Sequence, residues 1–414
     1  MNSKTFNIVI GALVLLAILA ALFFVWILFF TGSPAQTGAQ GGSFLSLLQG
    51  TKNTSPTNAT DTNVPLNGVQ QPAMGGVVQK IFKIADGPIV SATFIQTQNP
   101  TTTIARYITA DTGHILDLVI DSPGNIAKVV SNTTIPGLIS AKWAERGNAV
   151  VVQYFEGRTV KTLYEQFASS TTAIPPRIHF FPDDIQSYDV SPDGMSLTYL
   201  LKTAGGTNGY IASTTGTNTK RLFSLPLTQT LVSWPAKSAL LVTSKEAAGV
   251  PGIAFSIKTK DGSATPLVYA NGLTAMANVD FSRVIYQTIA DPATQGLTYS
   301  HDTLNGFDLP VPASPAPEKC RWSSVATTTL YCAVPVDSRT ANYVDLLHVG
   351  VAVDADDIGV FNTLGGMTEI ATVPGSKQGG TATPIENIAL SPQDTYLSYV
   401  TYGDRSLWGV RLTQ

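Results

Sequence analysis

The sequence predicts an all-β protein, a seven-bladed β-propeller of four-stranded blades preceded by one transmembrane helix. Three observations predict it. The segment Ser191-Pro192-Asp193-Gly194 returns near the end of the chain as Ser391-Pro392-Gln393-Asp394, each time between two short apolar stretches. Weaker copies of this strand-turn-strand pattern recur at intervals of forty-odd residues, the period of a propeller blade. Residues 8–30 form an unbroken apolar run.

The blade turn is the element that defines the repeat. Proline sets φ for the first turn position and glycine tolerates positive φ, so the chain reverses direction there. A turn signal follows each aligned anchor position, and these positions are Phe94, Trp143, Val190, Trp234, Val279, Trp322 and Leu390. From residue 77 onward, apolar runs alternate with Gly, Pro, Asn and Asp clusters. Four runs per repeat predict a four-stranded blade.

The interval from Trp322 to Leu390 is longer than the others. No further turn-plus-strand copy lies within it, so we expect an insertion near residues 337–353, followed by a strand at residues 357–362. A missed blade is the alternative interpretation, and totals of six or eight blades stay open at this point.

The final repeat contains only three predicted strands. Residues 77–85 resemble the fourth strand of an internal repeat at residues 220–225. We therefore expect the segment 77–85 to complete the last blade, which would close the ring and remove an open sheet edge.

The apolar run at residues 8–30 is long enough to cross a membrane. As a helix rising about 1.5 Å per residue it would span roughly 35 Å, against a hydrocarbon core of about 30 Å. Lys4 precedes the run and the next charge is Lys52, which favours a cytoplasmic tail at residues 1–7 and an exported body. A cleaved signal peptide is the alternative, although its apolar region would be shorter. Residues 31–76, rich in Gly, Ser, Thr, Asn and Pro, are predicted to be a flexible linker to a propeller at residues 77–414.

The two cysteines are placed for a disulfide. If residues 319–323 and 329–333 form a hairpin, Cys320 and Cys332 face each other across it, close to disulfide geometry. The alternative is two buried free thiols. Export to an oxidising compartment favours the disulfide.

Composition and motifs exclude several classes of function. The net charge is −3 and only 13% of residues are charged, with no Lys/Arg cluster of the kind that binds nucleic acid. The nucleophile elbow, the zinc-protease motif, the P-loop and the dinucleotide fingerprint are all missing from the sequence. We therefore predict no catalytic, metal-binding or cofactor-binding residue.

Some residue sets superficially suggest a site. The segment from Asp354 to Gly359 has the acidic character of a calcium loop but lacks the required ligand positions, so we expect a charged turn leading into a strand. Tryptophans at equivalent repeat positions are expected to pack between blades rather than to stack on sugars. The four histidines are scattered, at His114, His179, His301 and His348, and we expect isolated roles for them.

The repeat from Asp189 to Tyr199 resembles that of TolB-like, WD-repeat-like bacterial β-propellers, and the segment from Ala389 to Tyr399 is a looser copy. The resemblance implies a propeller, and it implies a protein-interaction platform in the cell envelope. The blade-turn residues that carry it are Ser191, Pro192, Asp193, Gly194, Ser391 and Pro392.

Two functions follow from these observations. The first is a single-pass membrane protein whose propeller lies outside the cytoplasm and binds an envelope protein or glycan. The second is an enzyme, a lyase or hydrolase acting on envelope polysaccharide with residues gathered in the propeller funnel. The lack of a recognisable active-site motif favours the binding protein.

Overall fold

The computed structural model describes residues 81–98, 101–121, 124–167, 177–336, 345–346, 349, 351, 355–365, 367–372 and 383–412. The predicted anchor helix at 8–30 and the linker at 31–76 lie outside the described residues. In the part that is described, no helix has the length and apolar character needed to cross a membrane.

The described residues form 28 strands in seven four-stranded antiparallel sheets. The first strand, β1, is Ile81–Ala85. Blade I consists of β2 Ile89–Gln98, β3 Thr101–Thr109, β4 Ile115–Val119 and β5 Lys128–Ser131. Blade II consists of β6 Leu138–Ala144, β7 Ala149–Glu156, β8 Thr159–Gln166 and β9 Arg177–Phe180. Blade III consists of β10 Ser187–Val190, β11 Ser196–Thr203, β12 Gly206–Ser213 and β13 Lys220–Leu225.

The remaining blades repeat this order. Blade IV consists of β14 Thr230–Ala236, β15 Ala239–Ser244, β16 Pro251–Lys258 and β17 Ala264–Asn271. Blade V consists of β18 Thr274–Ala277, β19 Arg283–Thr288, β20 Leu297–Asp302 and β21 Asp308–Pro310. Blade VI consists of β22 Cys320–Trp322, β23 Thr329–Pro335, β24 Asp356–Asn362 and β25 Met367–Thr372. Blade VII consists of β26 Ile385–Leu390, β27 Tyr396–Thr401, β28 Leu407–Arg411 and the N-terminal β1.

The ring closes as the sequence predicts. Strand β1 pairs antiparallel with β28, with Ile81 opposite Val410 and Lys83 opposite Trp408. The chain therefore completes its last blade with its first strand. This pairing covers the edge of β28 that would otherwise be open.

The core of the molecule lies between the blades. Each junction between adjacent sheets, including the one between blades VII and I, contains one cluster of buried apolar side chains. Hydrogen bonds from backbone N–H groups to side chains also join the first strands of blades III and IV: Val232 N donates to Ser187 Oγ at 3.0 Å and Trp234 N donates to Asp189 Oδ2 at 2.8 Å. The residue numbers of the two strands increase in the same direction along these contacts, so the first strands run parallel around the ring.

This shared direction gives the propeller two distinct faces. Turns that join first to second and third to fourth strands lie on one face, which we call the turn face. Turns that join second to third strands, and the connections between blades, lie on the other. We call it the insertion face, because the long connection from β23 to β24 leaves and rejoins blade VI there. Strands β23 and β24 on either side of this connection pair with each other in one sheet. The expected insertion in blade VI is therefore confirmed, and the missed-blade alternative is wrong.

Candidate binding pocket

The repeated blade turns of blades III and VII lie on the turn face and pack against the preceding blade. In blade III, Ser191 Oγ accepts a hydrogen bond from Ser196 N at 2.9 Å, and Gly194 N donates to Ser191 O at 2.8 Å. Gly194 has a φ of 77° and lies against blade II, where Glu145 N donates to its carbonyl at 3.3 Å. A Cβ at Gly194 would lie 2.2 Å from Glu145 N, so glycine is required there.

The second copy of the turn makes the equivalent contact with a side chain. Ser391 Oγ accepts from Tyr396 N at 2.9 Å. Asp394, in the position of Gly194, also has a positive φ, 53°. Its carboxylate accepts hydrogen bonds from Ser323 Oγ and from Ser324 N (3.1 Å) and Oγ (2.6 Å) of blade VI. The blade-turn motif therefore forms hydrogen bonds that hold each of these blades against the preceding one.

The other residues singled out in the sequence also have local roles. Cys320 lies opposite Cys332 in the β22–β23 pair, and the two form a disulfide with Cα atoms 4.0 Å apart. Trp234 and Trp322 are buried between blades, and Trp143 Nε1 donates to Ser91 Oγ of the adjacent blade at 3.1 Å. The expected inter-blade packing of the tryptophans is confirmed.

The histidines lie apart from one another. His114 lies in the β3–β4 turn, His179 in β9 and His301 in β20, where it is 2.9 Å from Asp308; His348 is outside the described residues. Among the residues that are described, no group of three or more His, Cys, Asp and Glu side chains is placed to hold a metal ion.

A pocket of about 210 Å³ opens on the insertion face between blades V and VI. Its lining comes from the blade V–VI connection, the end of β23 and alternate positions of β24: Ala313, Val334, Pro335, Val336, Asp357, Gly359 and Phe361. Successive residues of a strand point to opposite faces, so Asp357, Gly359 and Phe361 share the side of β24 that faces blade V. All but one of the lining side chains are apolar.

The exception is the half-buried carboxylate of Asp357. Among the described residues no donor lies within hydrogen-bonding distance of Asp357 Oδ1, which has almost no exposed surface. Burial raises the pKa of the Asp357 carboxyl, and the neighbouring charge of Asp356 raises it further. Both effects penalise the ionised form of this carboxyl group.

The adjacent carboxylate has the opposite environment. Asp356 points to the other side of β24, where its Oδ2 lies 2.5 Å from Lys319 Nζ and accepts from Ile385 N of blade VII at 2.7 Å. Lys319 and Asp356 side chains are 3% and 0% exposed. The nearby cation is therefore committed to Asp356 and to the blade VI–VII junction.

The opposite wall of the pocket is a strained turn. Ala313 and Ser314 have φ angles of 56° and 42°, a conformation that costs a non-glycine residue of order 1 kcal/mol or more. Blade V holds this turn in place, because Gln287 Nε2 donates to Ser314 O at 3.2 Å and Thr298 Oγ1 donates to Pro315 O at 2.7 Å.

The insertion itself is attached to more than one blade. Its neck is closed by the hydrogen bond from Val336 N to Ala355 O at 2.8 Å. Farther along, Asp345 Oδ1 accepts from Ala248 N, in the β15–β16 turn of blade IV, at 3.2 Å. The pocket therefore lies beside the residues at which this connection leaves and rejoins blade VI.

Sequence reasoning interpreted the acidic segment before Gly359 as a turn and missed the pocket. The expected strand is present, because Asp356 and Asp357 begin β24. Two consecutive aspartates at the start of a strand must face opposite sides of the sheet. This alternation is the one feature of the sequence that indicates different environments for the two carboxylates. Which of them lacks a partner depends on Lys319 and Ala313, which are distant in sequence.

No protein-family model matches the chain, and no curated protein sequence is significantly similar to it. Solved structures with a similar fold include TolB from Acinetobacter baumannii, at 12% identity over 77% of this chain with a TM-score of 0.41. This chain spans 63% of that TolB chain. The WD40 domain of Neurospora crassa Pan2 is 10% identical over 79% of this chain and 92% of that one, with a TM-score of 0.48. An oligogalacturonate lyase from Vibrio parahaemolyticus is 9% identical over 80% of this chain and 99% of that one, with a TM-score of 0.46.

These likenesses concern the fold alone. The seven closed four-stranded blades establish that the chain is a β-propeller, similar in architecture to TolB-like and WD-repeat-like propellers.

Proposed function

We propose that this protein is a membrane-anchored binding scaffold whose propeller, outside the cytoplasm, holds a protein partner of the cell envelope on its insertion face. The observation that supports this proposal best is the apolar pocket with the Asp357 carboxylate, whose Oδ1 meets no donor in the part of the chain that the structure describes. A group of this kind costs folding free energy, so its position at an open face favours a role in recognition.

The other features of the insertion face support the same function. The strained turn at Ala313 and Ser314 fixes one wall of the pocket, and Asp345 of the blade VI insertion accepts a hydrogen bond from blade IV. A rigid scaffold carrying irregular segments on one face is the common arrangement of binding sites.

Site-specific photocrosslinking in intact cells tests the proposal. A photoreactive amino acid replaces Val336, which is 43% exposed at the pocket rim, and in a matched control it replaces Met195, which is 57% exposed on the turn face. We expect a discrete crosslinked protein from position 336 and at least five-fold less of it from position 195. Equal yields from both positions, or no crosslinked protein from either, would contradict the proposal.

The anchor and the export of the propeller are part of this proposal and need a separate test. Ser55→Cys, in the predicted linker, should react with a membrane-impermeant maleimide in intact cells. Labelling that requires cell lysis would reverse the proposed orientation.

One observation favours the alternative, an enzyme acting on envelope polysaccharide. Burial raises the pKa of Glu386 in blade VII, as it raises the pKa of Asp357, although nearby Arg405 and Lys319 partly oppose the shift at Glu386. Carboxyl groups with raised pKa values are suited to general acid catalysis of glycoside cleavage. Turnover of a panel of envelope glycans that is lost in Glu386→Gln would favour the enzyme over the scaffold.

A further inference from the structure

The charge of the pocket defines what it can bind. Asp357 brings one negative charge, and Lys319 is ion-paired with Asp356 on the other side of β24. An occupant that is neutral at this position would leave the carboxylate unpaired in an apolar site. A cationic occupant would compensate it, and the resulting charge-assisted hydrogen bond is among the stronger kinds in proteins.

The walls define the rest of the occupant. Val334, Pro335 and Val336 present apolar surface beside the carboxylate, and the fully buried ring of Phe361 packs against Gly359 and closes the floor behind them. A Cβ at Gly359 would lie 2.9 Å from Phe361 Cε2, so even one methyl group would encroach on this wall. A chain of methylene groups that ends in a cation matches such a lining.

The geometry also distinguishes between the two basic side chains. A guanidinium binds best to a carboxylate that offers two oxygens in a plane, whereas an ammonium acts as a compact point charge. Asp357 Oδ1 has almost no exposed surface. A guanidinium would have to reach this enclosed oxygen to bind both, whereas an ammonium binds at one oxygen, so the geometry favours an ammonium.

From this arrangement we propose that the pocket is a lysine-binding site: the alkyl chain of a partner's lysine lies along Val334 and Pro335, and its ammonium donates to Asp357. This inference rests on the proposed scaffold function and specifies the group that the partner contributes. The rim residues Ala313 and Val336 are exposed, so a side chain can enter from the insertion face.

Ligand-observed NMR on the purified full-length protein tests the assignment with Nα-acetyl-lysine N-methylamide as the probe. A ligand of this size with one ion pair is expected to bind with a dissociation constant of about 1–10 mM. The norleucine analogue keeps the alkyl chain without the ammonium and should bind at least ten-fold more weakly. The arginine analogue should also bind more weakly.

Two variants connect the binding to the carboxylate. Asp357→Asn should weaken binding of the lysine probe at least ten-fold. Asp291→Asn is the matched control, because Asp291 lies on the same face in the β19–β20 turn and an amide oxygen can still accept from Ala293 N. It should bind the probe like the parent protein.

Several results would overturn the assignment. They are equal binding of the lysine and norleucine analogues, undiminished binding by Asp357→Asn, or no saturable binding up to about 50 mM of probe, roughly five times the weakest constant expected. Tighter binding of putrescine than of the lysine probe would assign the pocket to a free amine instead of a protein. If crosslinking at position 336 succeeds while the lysine probe fails, the scaffold stands and only the lysine assignment falls.

Discussion

Asp356 and Asp357 are neighbours in the sequence, yet their carboxylates lie on opposite sides of β24 in contrasting environments. Asp356 Oδ2 is 2.5 Å from Lys319 Nζ, in a pair with almost no exposed surface. Asp357 Oδ1 meets no donor among the described residues and faces an apolar pocket. One aspartate therefore joins blades VI and VII, whereas the other is available to a ligand.

The unpaired carboxylate should make stability depend on pH in a specific direction. Burial raises the pKa of Asp357 above its usual 3.8, so the folded protein holds this proton more tightly than the unfolded chain. The associated stability is complete below the unfolded pKa and is lost as pH rises through the raised folded pKa. We expect Asp357→Asn to raise the melting temperature at neutral pH by about 1–2 °C, because the ionisation cost disappears.

This gain should shrink as the pH of the melting experiment falls toward 3.8, the ordinary pKa of the group. Asp291→Asn, the control from the same face, should show no such pH-dependent gain. A destabilised Asp357→Asn at neutral pH would show that the carboxylate has a structural partner.

Substitutions in the buried ion pair should destabilise the protein, in contrast to Asp357→Asn. Asp356→Leu leaves the Lys319 ammonium buried without its counter-ion, and Lys319→Met leaves the Asp356 carboxylate buried without its counter-ion. Each should lower the free energy of unfolding by about 3–5 kcal/mol. The double variant should cost clearly less than the sum of the two, as measured by denaturant unfolding in a double-mutant cycle. Additive losses would mean that the two groups do not interact.

The closure of the ring predicts a large effect from a short deletion. Removing residues 77–85 eliminates β1, whose pairing with β28 completes blade VII. We expect the melting temperature to fall by about 10 °C or more, since the deletion also exposes the apolar core between blades VII and I. Removing residues 61–69 from the predicted linker is the matched control and should leave the melting temperature unchanged. Equal melting temperatures for both deletions would refute the closure.

Two turn glycines with positive φ, Gly194 in blade III and Gly157 in blade II, should differ in how much stability an alanine substitution costs. A Cβ at Gly194 would lie 2.2 Å from Glu145 N, whereas a Cβ at Gly157 would meet nothing within 4 Å. Gly194→Ala should therefore cost about 3 kcal/mol or more in unfolding free energy, and Gly157→Ala only the backbone strain of about 1–2 kcal/mol. Similar losses for both would show that the blade II contact does not constrain Gly194.

The architecture was accessible from the sequence because its signals are local. A strand, a turn and a strand follow one another within a few residues, so Ser191 and Ser391 identified blades III and VII directly. The pairing of Cys320 with Cys332 was predictable for the same reason, as both belong to one hairpin. The closing strand was predictable because its sequence resembles an internal fourth strand.

The candidate site was not accessible in this way, because its parts come together only through tertiary structure. Ala313 belongs to the connection from blade V, Val336 precedes the insertion and Asp357 follows it. Nothing in the local sequence shows that Lys319 pairs with Asp356 and leaves Asp357 without a cation. The same limit explains why the Ser-Pro-Asp-Gly turn reports architecture, while the pocket lies on the other face.

The most direct test of the account is the photocrosslinking yield from position 336 in intact cells, compared between the parent protein and Asp357→Asn. If a partner's lysine enters the pocket, the yield of the discrete crosslinked protein should fall at least five-fold in Asp357→Asn and stay unchanged in Asp291→Asn. An unchanged yield in Asp357→Asn would contradict the claim that this carboxylate holds the partner.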